Sequence, residues 1–202
     1  MNIRPFAAAL SLLALTTVPA MAQDKPRETA PPGMDPAAME AMMKAGSPGE
    51  QHKHIARYAG DWTFTNKMWM DPSQPPAESS GTMKGEMILG GRYVQTQWQG
   101  NMMGMPFEGR STEGYDNLKK EYVSSWVDNM GTGIMHSTGT CEDGGKKCTS
   151  KGDFIDPMTG KPSYMRSAVT WMGQDNFKME MYGPGPDGKE YKMMEFSVKR
   201  KG

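Results

Sequence analysis

The 202-residue sequence lacks an excess of either charge, because 23 Lys and Arg residues balance 23 Asp and Glu residues. Nucleic-acid-binding domains commonly carry a basic face and a pI above about 9, whereas the pI of this chain is about 6.8. Neutrality therefore argues against a nucleic-acid-binding protein. A charged fraction of 23% and five tryptophans do not match a disordered chain either. The length fits a single domain of ordinary size.

No apolar run beyond the start of the chain is long enough to cross a membrane, which takes about 20 residues in a helix. Residues 1–22 have the parts of a secretory signal peptide. Arg4 supplies the positive charge, residues 6–18 form a short apolar run, and residues 20–22 are a small-residue cleavage site. We therefore predict cleavage after Ala22, export to the periplasm or the medium, and no stable membrane insertion.

Histidine is scarce, with three residues, and the common catalytic motifs are missing. The sequence contains no Gly-x-Ser-x-Gly elbow, no His-Glu-x-x-His, no phosphate-binding loop and no dinucleotide-binding glycine motif. We therefore predict no catalysis and no cofactor. One alternative is haem ligated by His136, provided that the strand face it shares with Ile134 is internal. Another is an enzyme with an acidic pocket, in which Glu108, Asp128 or Glu180 acts as acid or base.

Only two cysteines are present, on either side of a Gly-Gly pair. A two-residue turn at Gly-Gly is typical of a β-hairpin. The resulting register pairs Cys141 with Cys148, Glu142 with Lys147, and Asp143 with Lys146. Directly opposed strand residues have Cβ atoms about 4.5–5.5 Å apart, close enough to bridge, and a disulfide is the default in an exported protein. We predict a Cys141–Cys148 disulfide, with a metal or redox pair as the alternative.

Two short helical patterns precede the strands, within residues 34–59. Pro36 suits the first turn of a helix and Gly46 its end, and a second, weaker pattern covers residues 51–59. Residues 23–33, before the helices, are rich in Pro, Lys and Glu and are predicted to be a flexible leader. Three methionines share one face of the first helix: Met39, Met42 and Met43.

Beyond residue 60, short runs rich in Thr, Tyr, Trp, Val and Met alternate with Gly, Pro, Asn and Asp. This pattern predicts ten strands near residues 61–70, 80–89, 92–100, 105–115, 121–128, 132–141, 146–154, 163–172, 176–183 and 190–199. The connections are hairpin-like and contain no helix. Ten antiparallel strands without edge protection favour closure. We predict an all-β, up-and-down antiparallel barrel over residues 60–202, with a β-sandwich as the alternative.

Several short motifs in this region occur together in one known family. They are Gly60-Asp61-Trp62, Leu89-Gly90-Gly91-Arg92-Tyr93, Gly114-Tyr115-Asp116-Asn117, Tyr122-Val123-Ser124-Ser125-Trp126-Val127-Asp128 and Gly131-Thr132-Gly133. In combination they resemble the bacterial exported family known as domain of unknown function 1579, over residues 52–200. That family is similar to lipocalins, so the resemblance implies a ten-stranded barrel and no assigned function.

The ends of the predicted barrel also resemble those of lipocalins. Such barrels carry Gly-x-Trp on the first strand, and the Trp packs under a basic residue from the last strand. Gly60 and Trp62 stand at the first predicted strand, and Arg200 follows the last. The resemblance implies a Trp62–Arg200 stack at a closed end, worth about 0.5–2 kcal/mol as a cation–π contact. The preceding helix would then cover that end.

One strand face offers a candidate ligand-binding wall. Alternation places Tyr122, Trp126 and Asp128 on the same face, where aromatic area binds an apolar ligand and polar groups orient it. Which face is internal is left open by the sequence. Charged residues recur inside other strands and either join the pocket as an interior network or face water in ion pairs: Glu108, Arg110, Arg166 and Glu180.

Methionine is unusually abundant, with 22 residues. Thioethers are soft ligands that select Cu(I), but Met also serves as an adaptable filler of cores and pockets. Copper is therefore an alternative to core packing, and its candidate ligands are His136, Met103, Met105, Met179 and Met181.

The composition and the predicted fold together favour an exported barrel that binds a small, largely apolar molecule and has no catalytic activity. A periplasmic Cu(I)-handling protein that uses its methionines is the first alternative. The oligomeric state is left open.

Overall fold

The computed structural model describes Gly33, residues 35–185 and residues 187–202. The helices in this part of the chain are α1 (Pro36–Gly46) and α2 (Glu50–Ala56), and a 3-10 turn spans Asp143–Gly145. The strands are β1 (Gly60–Met68), β2 (Ala77–Ile88), β3 (Tyr93–Met102), β4 (Met105–Asp116), β5 (Glu121–Asp128), β6 (Met135–Glu142), β7 (Lys147–Ile155), β8 (Pro162–Trp171), β9 (Asn176–Pro184) and β10 (Glu190–Arg200). The predicted signal peptide and nearly all of the predicted leader lie outside the described residues.

The ten strands form one closed sheet. Each strand pairs antiparallel with its neighbours in the chain, and β1 also pairs with β10. The predicted fold class, an all-β up-and-down barrel preceded by short helices, is therefore confirmed. Each strand begins and ends within three residues of its predicted limits. Closure pairs both edges of every strand, which removes the exposed edges that promote aggregation.

The two helices pack differently. No residue of α1 is buried, and its Met42 and Met43 are more than half exposed. α2 belongs to a compact unit that spans Glu40–Gly202, and it buries His52 and Ile55. Among the described residues, no helix is both long and apolar enough to span a membrane.

The burial pattern of β1 identifies the side chains that fill the barrel. Trp62, Phe64 and Asn66 are buried, whereas the residues between them are exposed. Alternate residues of a strand point to opposite faces, so this set points inward. Directly paired residues point to the same face, and the register therefore extends the inward set to the other nine strands.

Two groups of three aromatic rings fill much of the interior. The group nearer α2 consists of Trp62, Trp171 and Phe177. The group in the next layer consists of Phe64, Trp98 and Phe196. Ring centroids within each group lie 4.9–6.0 Å apart, in tilted or edge-to-face geometry. Each such pair stabilises by about 0.5–1.5 kcal/mol beyond the burial of its area. The two aromatic layers therefore form the packed core of the barrel.

Trp62 and Arg200 close the end of the barrel that α2 covers. The guanidinium carbon of Arg200 lies 4.0 Å from the centroid of the Trp62 ring. Trp62 Nε1 donates a hydrogen bond of 3.0 Å to the carbonyl of Tyr58, just after α2. Gly60 has a φ of +119°, and a Cβ there would collide with the Arg200 guanidinium. This is the arrangement that the resemblance implies.

The predicted disulfide is confirmed. Cys141 of β6 and Cys148 of β7 are directly paired, with Cα atoms 4.0 Å apart, and their sulfurs are bonded. The register also pairs Glu142 with Lys147, as predicted.

The turn that joins β6 to β7 differs from the predicted two-residue turn. Asp143, Gly144 and Gly145 all have positive φ, between 50° and 79°, and they form the 3-10 turn. The Lys146 N–H donates to the Glu142 carbonyl at 3.1 Å, which makes the turn wider. The Asp143 carboxylate consequently lies 4.0 Å from the ammonium of Lys147 and does not face Lys146 across a ladder.

Candidate functional site

A cavity of about 80 Å³ lies inside the barrel between α2 and strands β4 to β8. One part of its lining is apolar and includes Ile55, Val169 and Trp171. The other part is polar and includes Glu113, Ser124, Ser137 and Ser150. The Cys141–Cys148 disulfide lies in the same wall and fastens β6 to β7 there. The cavity thus has both apolar and polar lining residues, and a disulfide holds one of its walls together.

Glu113 stands at the end of a chain of hydrogen bonds that runs through the barrel core. Trp98 Nε1 donates to Thr96 Oγ1 at 2.9 Å, and Thr96 Oγ1 lies 2.7 Å from Ser111 Oγ. Ser111 Oγ in turn donates to Glu113 Oε1 at 3.1 Å. Because Ser111 donates its only hydroxyl proton to Glu113, the Thr96 hydroxyl donates to Ser111. Each bond polarises the next, and all of them point toward the carboxylate.

The surroundings of Glu113 oppose its negative charge. Burial raises the pKa of the Glu113 carboxyl, and the hydrogen bond from Ser111 offsets part of that rise. Among the described residues, no side chain forms an ion pair with this carboxylate, and no protein donor binds its Oε2. A carboxyl oxygen without a protein donor therefore lines the cavity.

Residues of α2 and the adjoining turn form the lid of the cavity. His54 Nδ1 and the Tyr122 hydroxyl share a hydrogen bond of 2.7 Å. Arg57 donates to the Gly145 carbonyl, and its guanidinium carbon lies 4.4 Å from the centroid of the Trp171 ring. Burial and the positive charge of Arg57 lower the pKa of His54. The lid therefore presents a neutral imidazole at neutral pH and a guanidinium that is already engaged by the protein.

Gly145 is required for this lid. The ring of His54 occupies the space that a Cβ on Gly145 would fill, with Cγ 2.5 Å from that position. α2 thus packs directly against the 3-10 turn.

The predicted ligand-binding face on β5 points inward but only partly reaches the cavity. Tyr122 lines the cavity, whereas Trp126 and Asp128 lie farther along the strand and do not. The indole N–H of Trp126 donates to Asp128 Oδ2 at 2.7 Å, and its ring stacks on Phe107 with centroids 6.3 Å apart. Trp126 is thus engaged in core packing.

The four charged residues for which the sequence left two arrangements open lie on the outer face in ion pairs and do not join the cavity. Glu108 pairs with Arg110 at 3.0 Å, and Arg166 pairs with Glu190 at 2.6 Å. Glu180 belongs to an outer ion-pair network with Lys178, Lys192 and Glu195. The physical reason is parity: on β4, Phe107 and Glu113 point inward, so Glu108 and Arg110 point outward.

The histidine and methionine residues considered as metal or haem ligands fall into two groups, those that point into the barrel and those that do not. His136 and its neighbour Ile134 are exposed, so His136 points away from the interior and an internal haem ligand at this position is ruled out by geometry. Met103 and Met105 are exposed at the β3–β4 turn. Met179 and Met181 share the inward parity of Phe177 on β9. Among the described residues, no group of three His, Cys, Asp or Glu side chains is arranged to hold a metal.

Sequence reasoning did not identify Glu113, His54 or Arg57 as site residues. A signal for Glu113 was present in the β4–β5 hairpin. Its register pairs Glu113 with Ser124, which shares the face of Trp126. Had the Trp126 face been assigned as internal, Glu113 would have followed. No comparable signal pointed to His54 or Arg57, because their position depends on how α2 docks.

These features define a closed antiparallel β-barrel with a Trp–Arg contact at the end that α2 covers and a small cavity beneath that helix. The chain belongs to the family described as protein of unknown function (DUF1579), whose model matches residues 47–200. No curated protein matches the chain.

Several solved structures match the chain, and two of them are described here. Rv2717c from M. tuberculosis has a TM-score of 0.59 and 11% sequence identity, over 77% of this chain and 100% of its own. A redesigned beta barrel has a TM-score of 0.39 and 16% identity, over 74% of this chain and 96% of its own. At this level of identity, the first similarity shows a shared barrel fold and nothing about a ligand.

Proposed function

We propose that this protein is an exported small-molecule-binding barrel whose ligand occupies the cavity between α2 and strands β4 to β8. The observation that carries the proposal is the Glu113 carboxyl, which lines the cavity with Oε1 bound by Ser111 and with no protein donor on Oε2. Oε2 is therefore open to a ligand in the cavity, and a hydrogen bond to a charged group contributes about 1.5–3 kcal/mol. A ligand that donates to Oε2 would gain that free energy.

The cavity limits the ligand to a small molecule with two different ends. A cavity needs a volume of about 10–15 Å³ to hold one water molecule. A cavity of about 80 Å³ therefore holds a ligand of a few non-hydrogen atoms. Val169 and Trp171 would contact its apolar end. An amine or a hydroxyl group would donate to Glu113, and an amine is favoured because it also neutralises the carboxylate.

Two observations support export. The first 22 residues have the pattern of a signal peptide. The Cys141–Cys148 disulfide is of a kind that persists in oxidising compartments such as the periplasm.

A series of three-carbon probes tests the binding proposal. Propylamine, propanol and propionate have similar size but differ in charge and in their ability to donate to a carboxylate. We expect propylamine to bind most tightly, propanol more weakly and propionate not at all, with affinities in roughly the millimolar range for such small molecules. The measurement is the shift of the Trp171 indole N–H resonance in NMR titrations.

Matched variants locate the effect. E113Q keeps the side-chain volume and an acceptor for Ser111 but removes the charge, so it should lose the preference for propylamine over propanol. E108Q makes the same change on the outer face and should bind like the wild type. Equal binding of propionate and propylamine, or an unchanged preference in E113Q, would refute the proposal. Native mass spectrometry of the protein purified from its own exported fraction then identifies a natural ligand by its added mass.

A further inference from the structure

The end of the barrel opposite α2, here called the far end, gathers methionines that are scattered in the sequence. Met68 of β1 is directly paired with Met194 of β10, and Met194 is directly paired with Met181 of β9. The three residues therefore form a row across three adjacent strands. Directly paired residues have Cβ atoms about 4.5–5.5 Å apart, within reach of one another for a flexible thioether side chain.

All three side chains of this row point into the barrel. Met68 continues the alternation of the buried residues Phe64 and Asn66 on β1. Met194 shares the parity of the buried Val198, and Met181 pairs with it across the ladder. Each of the three methionines is half-buried.

A β-bulge adds a fourth thioether. The register between β9 and β10 shifts between Lys192 and Met194, which leaves Met193 without a partner. The Sδ of Met193 lies in the space that a Cβ on Gly183 would occupy, and Gly183 is buried with the inward parity of Met181. Bulges commonly re-aim a side chain in this way. As a result, two consecutive residues, Met193 and Met194, both face the interior.

An unsatisfied polar group lies one layer deeper. Asn66 is 5% exposed, points inward two residues before Met68, and its Oδ1 has no hydrogen-bond partner among the described residues. Buried side-chain acceptors are nearly always satisfied, so one without a donor calls for an additional group such as an ion-bound water. The orphan oxygen and the thioethers lie at the same end of the interior.

We propose that Met68, Met181, Met193 and Met194 form a Cu(I) site inside the far end of the barrel. Thioethers are soft, uncharged ligands, and they select Cu(I) over the harder divalent ions. The site needs no proton release and no change in oxidation state, because the four sulfurs bind the ion as neutral donors. It is separate from the cavity beneath α2 and does not depend on the ligand proposed there.

Anaerobic titration of the protein with Cu(I) against the chelator bathocuproine disulfonate tests the site. We expect the wild type to hold one Cu(I) per chain and to give an X-ray absorption spectrum with a sulfur shell. M68L and M194L should each weaken binding by about 10–100-fold or more, since even the outer partners of metal ligands change affinity by that much. Leu is close to Met in volume, so each variant should keep the fold.

Exposed methionines around the same rim supply the matched control. Met70, Met103, Met105 and Met158 are all 45% or more exposed, and the combined variant M70L/M103L/M105L/M158L should bind Cu(I) like the wild type. Loss of binding in this control would assign copper to the rim and overturn the internal site. No binding by the wild type, a shell of nitrogen or oxygen alone, or unchanged affinity in both M68L and M194L would overturn it as well. E113Q should leave Cu(I) binding unchanged, which separates this result from the test of the cavity.

Discussion

The guanidinium of Arg200 stacks on the indole of Trp62, with 4.0 Å between the guanidinium carbon and the ring centroid. The same guanidinium donates to the carbonyls of Arg57 and Ala59 at 3.1 and 2.8 Å. It also donates to Asp175 Oδ1 at 3.0 Å. One side chain thus joins the last strand, the first strand and the segment that follows α2.

Replacement of Arg200 by lysine should destabilise the barrel although the charge is kept. Lysine cannot stack as a plane and cannot donate in three fixed directions. We expect the free energy of unfolding to fall by about 2–3 kcal/mol, the sum of a lost cation–π contact and weakened hydrogen bonds. Urea denaturation followed by tryptophan fluorescence measures the change. K199M, one residue away on the outer face, should stay within about 0.5 kcal/mol of the wild type.

Replacement of Glu113 by glutamine should stabilise the protein in a pH-dependent way. Because burial raises the pKa of Glu113 in the folded state, the folded state binds this proton more tightly than the unfolded chain. The wild type therefore loses stability as the pH rises from about 4.3, the ordinary Glu value, through the raised folded pKa. E113Q should match the wild type at low pH and exceed it by about 1–3 kcal/mol at neutral pH.

Replacement of Glu190, which pairs with Arg166 on the outer face, should change stability in the opposite direction. The hydrogen bond from Arg166 lowers the pKa of Glu190, so this contribution is present at neutral pH and is lost as the pH falls through the folded pKa. E190Q should therefore be less stable than the wild type at neutral pH, by less than about 1 kcal/mol for such a surface pair. Parallel denaturation curves across pH 3–8 compare both variants, and the same sign for both would contradict the assignment of Glu113 as buried.

Removal of the disulfide should weaken the cavity wall as well as the fold. The bridge joins residues seven apart in sequence, and closure of so short a loop contributes about 2–3 kcal/mol in the chain-entropy model. We expect C141A/C148A to lose that amount in chemical denaturation. Alkylation of the denatured, unreduced wild type should add no mass, and one label per cysteine would show that the bridge is absent.

Replacement of Trp126 by alanine should lower the stability of the fold without changing ligand binding in the cavity. Because its ring stacks on Phe107 and lies outside the cavity, W126A should destabilise the fold by about 2–4 kcal/mol, near the range for a truncated core aromatic. The preference for propylamine in the cavity should persist. Loss of that preference in a folded W126A protein would move the ligand toward the Trp126–Asp128 face.

The sequence was sufficient to predict the ten strands, because hairpin turns such as Gly144-Gly145 mark strand ends and the intervening runs have strand composition. It also predicted the Cys141–Cys148 bridge, since that pairing depends only on the local turn. The inward face was not predictable from one strand. Glu108 and Glu113 lie five residues apart on β4 with opposite parity, and only the register of the closed barrel decides which of them is internal.

The distribution of methionine was also hidden from the sequence. Met181 and Met194 belong to one hairpin, but Met68 is far from both along the chain, and it is the β1–β10 closure that brings it beside them. Met193 is harder still to place, because simple alternation would put it on the face opposite Met194. The bulge between Lys192 and Met194 cancels that alternation.

Closure of the sheet by β1 and β10 also determines when the chain can finish folding. Trp62 and Arg200, which are paired in that ladder, are 138 residues apart in sequence. At translation rates of 5–20 residues per second, roughly 7–28 s pass between the synthesis of the two residues. During that interval the nascent sheet has two open edges and the indole of Trp62 lacks its guanidinium cover. Until Arg200 is synthesised, the first and last strands therefore offer unpaired backbone groups to other chains, and full protection against edge-to-edge association comes only with the last strand.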